Sequence, residues 1–122
     1  MPTDTSNLHA VVDIGSNGIR FSITDLSPST ARTLPTLYHD RAGISLYDAQ
    51  FAGDADRGKR RPIPDEVIDR AVVRLARFKL VCRDFGVSDA NVHVLATEAV
   101  RAAPNGDGFR ERVRDGTHGW AV

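Results

Sequence analysis

The spacing of apolar residues changes midway through this 122-residue chain, and the change indicates an α/β fold. Before residue 42, apolar and polar positions alternate, as at Ile19, Phe21 and Ile23, which is the period of a strand with one buried face. Later, apolar residues recur every three or four positions, which is the period of a helix packed along one side. That helical stripe consists of Ile68, Val72, Leu75, Phe78, Cys82 and Phe85. The chain therefore starts with strands and continues with a helix that can cover them.

Turn-forming residues divide the chain into elements in the order β-β-β-α-β-α. The predicted strands cover residues 8–14, 19–24, 33–42 and 92–96, the long helix covers 64–85, and shorter helical turns cover 97–103 and 109–114. Pro35 has no N–H for a sheet hydrogen bond, so the third strand is expected at an edge. Residues 48–64 combine glycines, prolines and charges without apolar periodicity, which predicts a mobile surface loop. The polar leader at residues 1–7 is expected to be disordered.

Charge, cysteine content and hydropathy exclude several classes of protein. The 16 basic and 16 acidic residues balance, so no long-range field draws the chain to nucleic acid or to acidic membranes. The one cysteine, Cys82, excludes an internal disulfide and a multi-thiolate zinc site, and it fits a reducing compartment. The leader has no apolar core and no stretch is apolar enough to span a membrane, so a cytoplasmic location is expected.

Three further features are interpreted as structural. The four histidines show no metal-ligand spacing, and His93, inside an apolar strand, is expected to be hydrogen-bonded. Cys82 lies on the apolar stripe of the long helix, where a small buried side chain is expected rather than a reactive thiol. The basic cluster at residues 58–62 could recruit an anion or a nucleic acid, but it is interpreted as solvated loop.

The segment D-I-G-S-N-G-I-R at residues 13–20 joins the first two predicted strands and carries the strongest signal for chemistry. Glycines let a backbone turn approach an anion without obstruction by a Cβ atom, and successive N–H groups, a hydroxyl and an amide can donate to phosphate oxygens. Asp13 cannot bind phosphate directly, but it can hold a magnesium ion or a water molecule beside it. The same residues also suit a simple hairpin turn capped by Asp13 and Ser16, and the sequence leaves both interpretations open.

Three segments, in order, resemble the exopolyphosphatase and guanosine-pentaphosphate phosphatase (Ppx/GppA) family of the actin-like ATPase superfamily. They are V-D-I-G-S-N-G-I-R at residues 12–20, D-R-A-G-I-S-L at 40–46 and A-T-E-A-V-R-A-A at 96–103. Residues 41–51, and Gly18 where the hydrolases usually carry a second serine, most resemble the fungal retrograde regulation proteins of that family. The resemblance implies a ribonuclease H-like α/β lobe over residues 8–122, incomplete because the chain stops about where a further core strand should begin.

The resemblance also implies a site in a cleft between two lobes. The residues implied at phosphate are Gly15, Ser16, Asn17, Arg20 and Arg101, with Asp13 at a magnesium ion. Arg101 would follow the carboxyl end of a strand, where α/β sheets place ligands, although a solvated helical arginine is the alternative. No residue is expected to be catalytic, because two parts of the family's apparatus do not occur in these 122 residues. They are a general-base segment of the type N-x-E-E/A-A-R and a second phosphate loop of the type D-I-G-G-G-S.

The implied reaction is hydrolysis of a phosphoanhydride in polyphosphate or a guanosine polyphosphate, with magnesium, by a protein whose first lobe is this chain. The chain by itself is expected to be inactive. The alternative is a non-catalytic module of retrograde signalling that senses a phosphorylated ligand or binds protein partners. In both cases the sheet is predicted to end after its fourth strand, so a protein partner or a second lobe is expected to complete it. Trp120, near the end of the lobe, is expected to be exposed for the same reason.

Overall fold

A computed structural model describes residues 5–30, 32–51 and 61–122. Within these ranges the strands are β1 (Leu8–Ile14), β2 (Ile19–Asp25), β3 (Thr36–Ala42) and β4 (Val92–Ala96). The helices are α1 (Leu46–Phe51), α2 (Asp65–Phe85), α3 (Glu98–Arg101) and α4 (Gly106–Gly116). Short 3-10 turns occupy Pro28–Thr30 and Asp89–Asn91. The predicted disordered leader falls partly outside the described residues, as does most of the predicted mobile loop.

The four strands form one mixed sheet in the order β3-β2-β1-β4. Strands β1 and β2 are an antiparallel hairpin in which Ile14 pairs with Ile19, while β1 and β4 are parallel. The prediction that the third strand lies at an edge is confirmed: β3 pairs with β2 alone in this sheet, and Pro35 lies just before its first residue. The sheet order carries the carboxyl end of β4 next to the turn between β1 and β2.

Helix α2 begins and ends within one residue of the predicted 64–85. Pro64 precedes its first turn, and Gly86 ends it with a left-handed φ of 80°, a conformation that glycine adopts without steric cost. Burial raises the pKa of the Cys82 thiol on its inner face to about 11, and the negative charge of Asp89 adds to the rise. Cys82 is therefore a neutral core residue, as predicted.

Two expectations about local structure were wrong. Helix α1 was not predicted, and its last residues fall in the segment interpreted as loop. A helix this short carries no readable apolar period, and one of its inward residues is polar: Gln50 is fully buried and its Nε2 donates to the Ala99 carbonyl at 2.6 Å. Helix α4 is longer than the predicted 109–114, and it starts near Asn105, whose amide exchanges two 2.9 Å hydrogen bonds with the main chain of Ile63.

Trp120 was expected to be exposed, and that expectation was wrong. The chain turns back after α4, so that Trp120 is buried with its ring edge-on to Phe78 at 6.2 Å. Its indole Nε1 donates to the Asp89 carboxylate at 3.3 Å. The buried Lys79 fixes the turn, because its Nζ donates to the Thr117 carbonyl at 2.5 Å. The end of the chain thus closes the aromatic part of the core between α2 and the sheet.

Side chains on the other side of the sheet form what we call the open face. It consists of two cross-strand rows, one of His93, Val11, Ser22 and His39 and one of Leu95, Asp13, Arg20 and Arg41. These residues are half-buried or exposed, whereas their neighbours along each strand face α2 and the core. His93 is hydrogen-bonded as predicted, since its Nε2 lies 3.0 Å from Nδ1 of His9 and the two rings stack.

Two glycines in the first turn of α4 allow a matched test of the packing of α4 against α3. A Cβ atom on Gly106 would lie 2.4 Å from the Val100 carbonyl oxygen, whereas one on Gly108 would meet nothing within 4 Å. We expect Gly106→Ala to lower the free energy of unfolding by about 1–3 kcal/mol, because rigid backbone must move. Gly108→Ala should raise it by about 0.5–1 kcal/mol, because alanine favours a helix over glycine. Urea unfolding measures both, and equal effects would contradict the contact between α3 and α4.

Candidate phosphate-binding site

The turn between β1 and β2, residues 15–18, is a tight hairpin that is fixed in place from outside. The N–H of Gly15 donates to the Gly18 carbonyl at 2.9 Å, which closes the turn. The Ser16 carbonyl accepts hydrogen bonds from the Tyr47 N–H at 2.9 Å and the Ser45 hydroxyl at 3.3 Å. Helix α1, which the sequence did not reveal, therefore supports the turn from its first residues. We call residues 15–18 the phosphate loop.

Some main-chain N–H groups of the phosphate loop are hydrogen-bonded within the turn, and others are available to a ligand. The N–H of Gly15 is engaged within the turn, so Gly15 contributes shape and not a donor. In the described part of the chain, the N–H groups of Ser16 and Asn17 have no main-chain acceptor. Both residues lie at the rim, with Asn17 exposed and Ser16 half-buried. The loop therefore presents two main-chain donors, a hydroxyl and an amide to a ligand, which is the donor set suited to phosphate oxygens.

A cleft of about 210 Å³ lies against the loop. Its walls are Asp13, Gly15, Ser16, Asn17, Gly18, Arg20, Arg41 and Thr97. The structure thus gathers the loop residues, Asp13 and Arg20 of the predicted site, and β4 closes one end through Thr97, whose N–H donates to the Ile14 carbonyl at 3.1 Å. Arg101 is exposed at the end of α3 and does not line this cleft, so its role stays a prediction.

Arg41 and Thr97 also line the cleft, and neither was predicted from the sequence to be a site residue. A signal for Arg41 was present. Arg20 lies between two buried residues, Arg41 precedes the buried Ala42, and the two arginines pair across β2 and β3, which places both on the open face. The sequence could not give the register of β3 against β2, which pairs Arg41 with Arg20, because the turn-rich connection between these strands does not fix it.

The charged side chains at this site are Asp13, Arg20 and Arg41. All three are exposed, and none has a hydrogen-bond or ion-pair partner for its charged group among residues 5–30, 32–51 and 61–122. Unpaired guanidinium groups beside loop N–H donors suit an anion with several oxygens. In contrast, the neighbouring Asp40 and Arg74 form an ion pair at 3.1 Å and are engaged with each other.

The residues at this cleft suit a magnesium ion that is held together with a bound phosphate. Across the described ranges, no three side chains of His, Cys, Asp or Glu come together as a ligand group. Asp13 offers a single carboxylate beside the phosphate loop. Magnesium is commonly held by one or two carboxylates together with substrate phosphates and water, so Asp13 fits that mode and does not make a site without a bound phosphate.

The structure describes only the last two residues of the basic cluster at residues 58–62, because residues 58–60 lie outside the described ranges. Arg61 is exposed, and its N–H donates to the Gln50 carbonyl at 3.1 Å. None of the helices that the structure describes combines the length and the hydropathy that crossing a membrane requires.

The sheet order, the hairpin loop and the two helices between β3 and β4 are consistent with a ribonuclease H-like lobe of the actin-like ATPase type. The profile of the Ppx/GppA phosphatase family matches residues 26–122. The chain therefore belongs to the Ppx/GppA phosphatase family.

Individual relatives agree with this assignment. The chain is 46% identical over 116 residues to Retrograde regulation protein 2 of Saccharomyces cerevisiae, covering 95% of this chain and 19% of that protein. The structure of the Ppx/GppA enzyme of Aquifex aeolicus superposes with a TM-score of 0.72 at 26% identity, covering 91% of this chain and 33% of the other. An exopolyphosphatase from Cytophaga hutchinsonii shares the fold, with a TM-score of 0.73 at 23% identity over 90% of this chain and 31% of the other. The chain thus spans about a fifth of the curated relative's length and about a third of these structures.

Proposed function

We propose that this chain is the first phosphate-binding lobe of a Ppx/GppA-type phosphoanhydride hydrolase acting on polyphosphate or a guanosine polyphosphate, and that the chain alone is inactive. The observation that carries the proposal is the cleft at the phosphate loop, where Ser16 and Asn17 offer main-chain donors beside the guanidinium of Arg20, which has no partner within residues 5–30, 32–51 and 61–122. A cytoplasmic location belongs to the proposal and is supported by the single cysteine.

Each residue of the site has a distinct role in this proposal. Gly15 gives the loop its tight shape, Ser16 and Asn17 donate hydrogen bonds to phosphate oxygens, and Arg20 neutralises their charge. Asp13 holds a magnesium ion or a water molecule next to the bound phosphate. The ion, when bound, supplies charge neutralisation and orientation of the phosphate group. Arg101 remains part of the proposal as a further arginine that reaches the ligand of the longer protein.

A second candidate function is a non-catalytic module that senses a phosphorylated ligand or binds protein partners in retrograde signalling. The observation that favours it is the 46% identity to Retrograde regulation protein 2, whose name describes regulation. The same loop would serve here as a sensor, so both candidates require binding and only the first requires turnover. A second lobe or a protein partner that completes the sheet is common to both.

The anion site is tested by calorimetric titration of the chain with pyrophosphate. A one-sided site should bind with a dissociation constant of roughly 1 mM, which corresponds to about 4 kcal/mol. Arg20→Ala should weaken binding at least about tenfold, because it removes a charged hydrogen-bond partner. Arg70→Ala is the matched control, since Arg70 is an exposed arginine of α2 outside the cleft. Unchanged affinity in Arg20→Ala, or equal losses in both variants, would overturn the proposal.

A further inference from the structure

Two arginines face each other across the sheet beside the phosphate loop. Arg20 of β2 and Arg41 of β3 are directly paired in an antiparallel register. Like charges directly opposite each other destabilise a sheet, and in the described ranges no carboxylate or carbonyl accepts a hydrogen bond from either guanidinium. The one carboxylate in the same row, that of Asp13, lies opposite Arg20 on the far side from Arg41. An anion placed between the two guanidinium groups would turn this repulsion into attraction.

Gly18 provides the space that Arg41 occupies. A Cβ atom at position 18 would lie 3.3 Å from Nε of Arg41 and 3.1 Å from the Ala42 carbonyl oxygen. Both separations are tighter than ordinary van der Waals contact, so a side chain at position 18 would require Arg41 or the end of β3 to shift by a few tenths of an ångström. The absence of a side chain at position 18 thus lets the Arg41 side chain lie against the phosphate loop.

The space in front of the two arginines extends beyond the loop. A second cleft, of about 470 Å³, runs along the open face from Asp13, Arg20 and Arg41 to Ser22 and His39. It shares those first three residues with the cleft at the loop. The two clefts therefore adjoin at the arginine pair, and a ligand longer than one phosphate group can reach from the first towards the second.

We infer that Arg41 is a ligand-binding residue that forms a two-guanidinium clamp with Arg20, and that Gly18 leaves the space in which Arg41 lies close to the loop. One phosphate group lies at the loop, and the next group of the same ligand lies between Arg20 and Arg41, each arginine donating hydrogen bonds to its oxygens. The inference rests on the proposed function, because it needs a first phosphate at the loop. It assigns to Arg41 the contact with the second phosphate group, which a ligand with one phosphate group cannot make.

The test compares inorganic tripolyphosphate with orthophosphate as probes of the wild type, Arg41→Gln, Gly18→Ser and Arg83→Gln by calorimetry. We expect Arg41→Gln to weaken tripolyphosphate binding about tenfold and orthophosphate binding less than about twofold. Gly18→Ser should weaken tripolyphosphate binding in the same direction, because the added side chain displaces Arg41. Arg83→Gln removes the same charge from an exposed position of α2 outside both clefts and should leave both affinities unchanged.

A measurement without ligand accompanies the titrations. Removing one of two facing like charges should raise the melting temperature of Arg41→Gln by about 1–4 °C at low salt, with no such rise in Arg83→Gln. Wild-type binding that Arg41→Gln leaves intact, or weakens no more than Arg83→Gln does, would overturn the clamp while the proposed function stands. Absence of orthophosphate and tripolyphosphate binding in the wild type would overturn the proposed function, and the clamp with it.

Discussion

Incubation of the purified chain with polyphosphate and magnesium is expected to release no phosphate above a control without protein. The phosphate loop can bind an anion, but the resemblance to the family implies a general-base glutamate and a second phosphate loop that these 122 residues do not contain. Glu98 does not replace that glutamate, because it opens α3 within the segment that follows β4. Loss of a positioned base alone lowers a rate by about 10²–10⁴-fold, and loss of the donors of the second phosphate loop lowers it further.

The control for this experiment is Asp13→Ala, which removes the carboxylate expected to hold the magnesium ion or water. Release that persists in Asp13→Ala comes from a contaminating phosphatase and leaves the prediction intact. Release that Asp13→Ala abolishes would show turnover by the chain itself and would contradict the prediction. That second outcome would also favour the hydrolase over the non-catalytic sensor.

Replacing Phe109 with alanine should produce the largest loss of stability in the chain. Phe109 lies on α4, is fully buried, and belongs to the core that α4 shares with α2 and the sheet. Truncating a buried phenylalanine to alanine costs about 3–5 kcal/mol, which is comparable to the whole stability of many small domains. We therefore expect Phe109→Ala to be largely unfolded at 37 °C.

Leu80→Ala is the matched control, because Leu80 lies on α2 and is 58% exposed. It should change the free energy of unfolding by no more than about 0.5 kcal/mol. Denaturant unfolding followed by circular dichroism gives both values. Similar small losses in the two variants would contradict the packing of α4 on α2, and with it the closure of the core at this end.

The strands and α2 could be predicted from the sequence because each buries one face. Burial of one face gives the element an apolar period that can be recognised within its own residues. Helix α1 could not, because its buried positions include Gln50, which is satisfied by a carbonyl 49 residues away. The burial of Trp120 could not be predicted for a similar reason. It depends on a turn held by Lys79, a residue whose type is seldom buried and which is satisfied here by the Thr117 carbonyl.

One part of the candidate site could be predicted from the sequence and another part could not. The loop was located because glycine, serine and asparagine between two strands form a continuous segment whose chemistry is readable in place. The contribution of Arg41 depends on which residue of β3 lies beside Arg20, and a slip of one residue would send its side chain to the opposite face. The support of the loop by Tyr47 and Ser45 likewise requires a helix that the sequence pattern did not reveal.

NMR titration of the isotope-labelled chain with pyrophosphate shows directly whether phosphate binds at the hairpin between β1 and β2. We expect the amide resonances of residues 15–17 to shift progressively, and we expect the shifts to disappear in Arg20→Ala while Arg70→Ala retains them. If the shifts are instead confined to residues 59–61 and the hairpin amides do not move, the anion binds at the basic cluster and not at the hairpin.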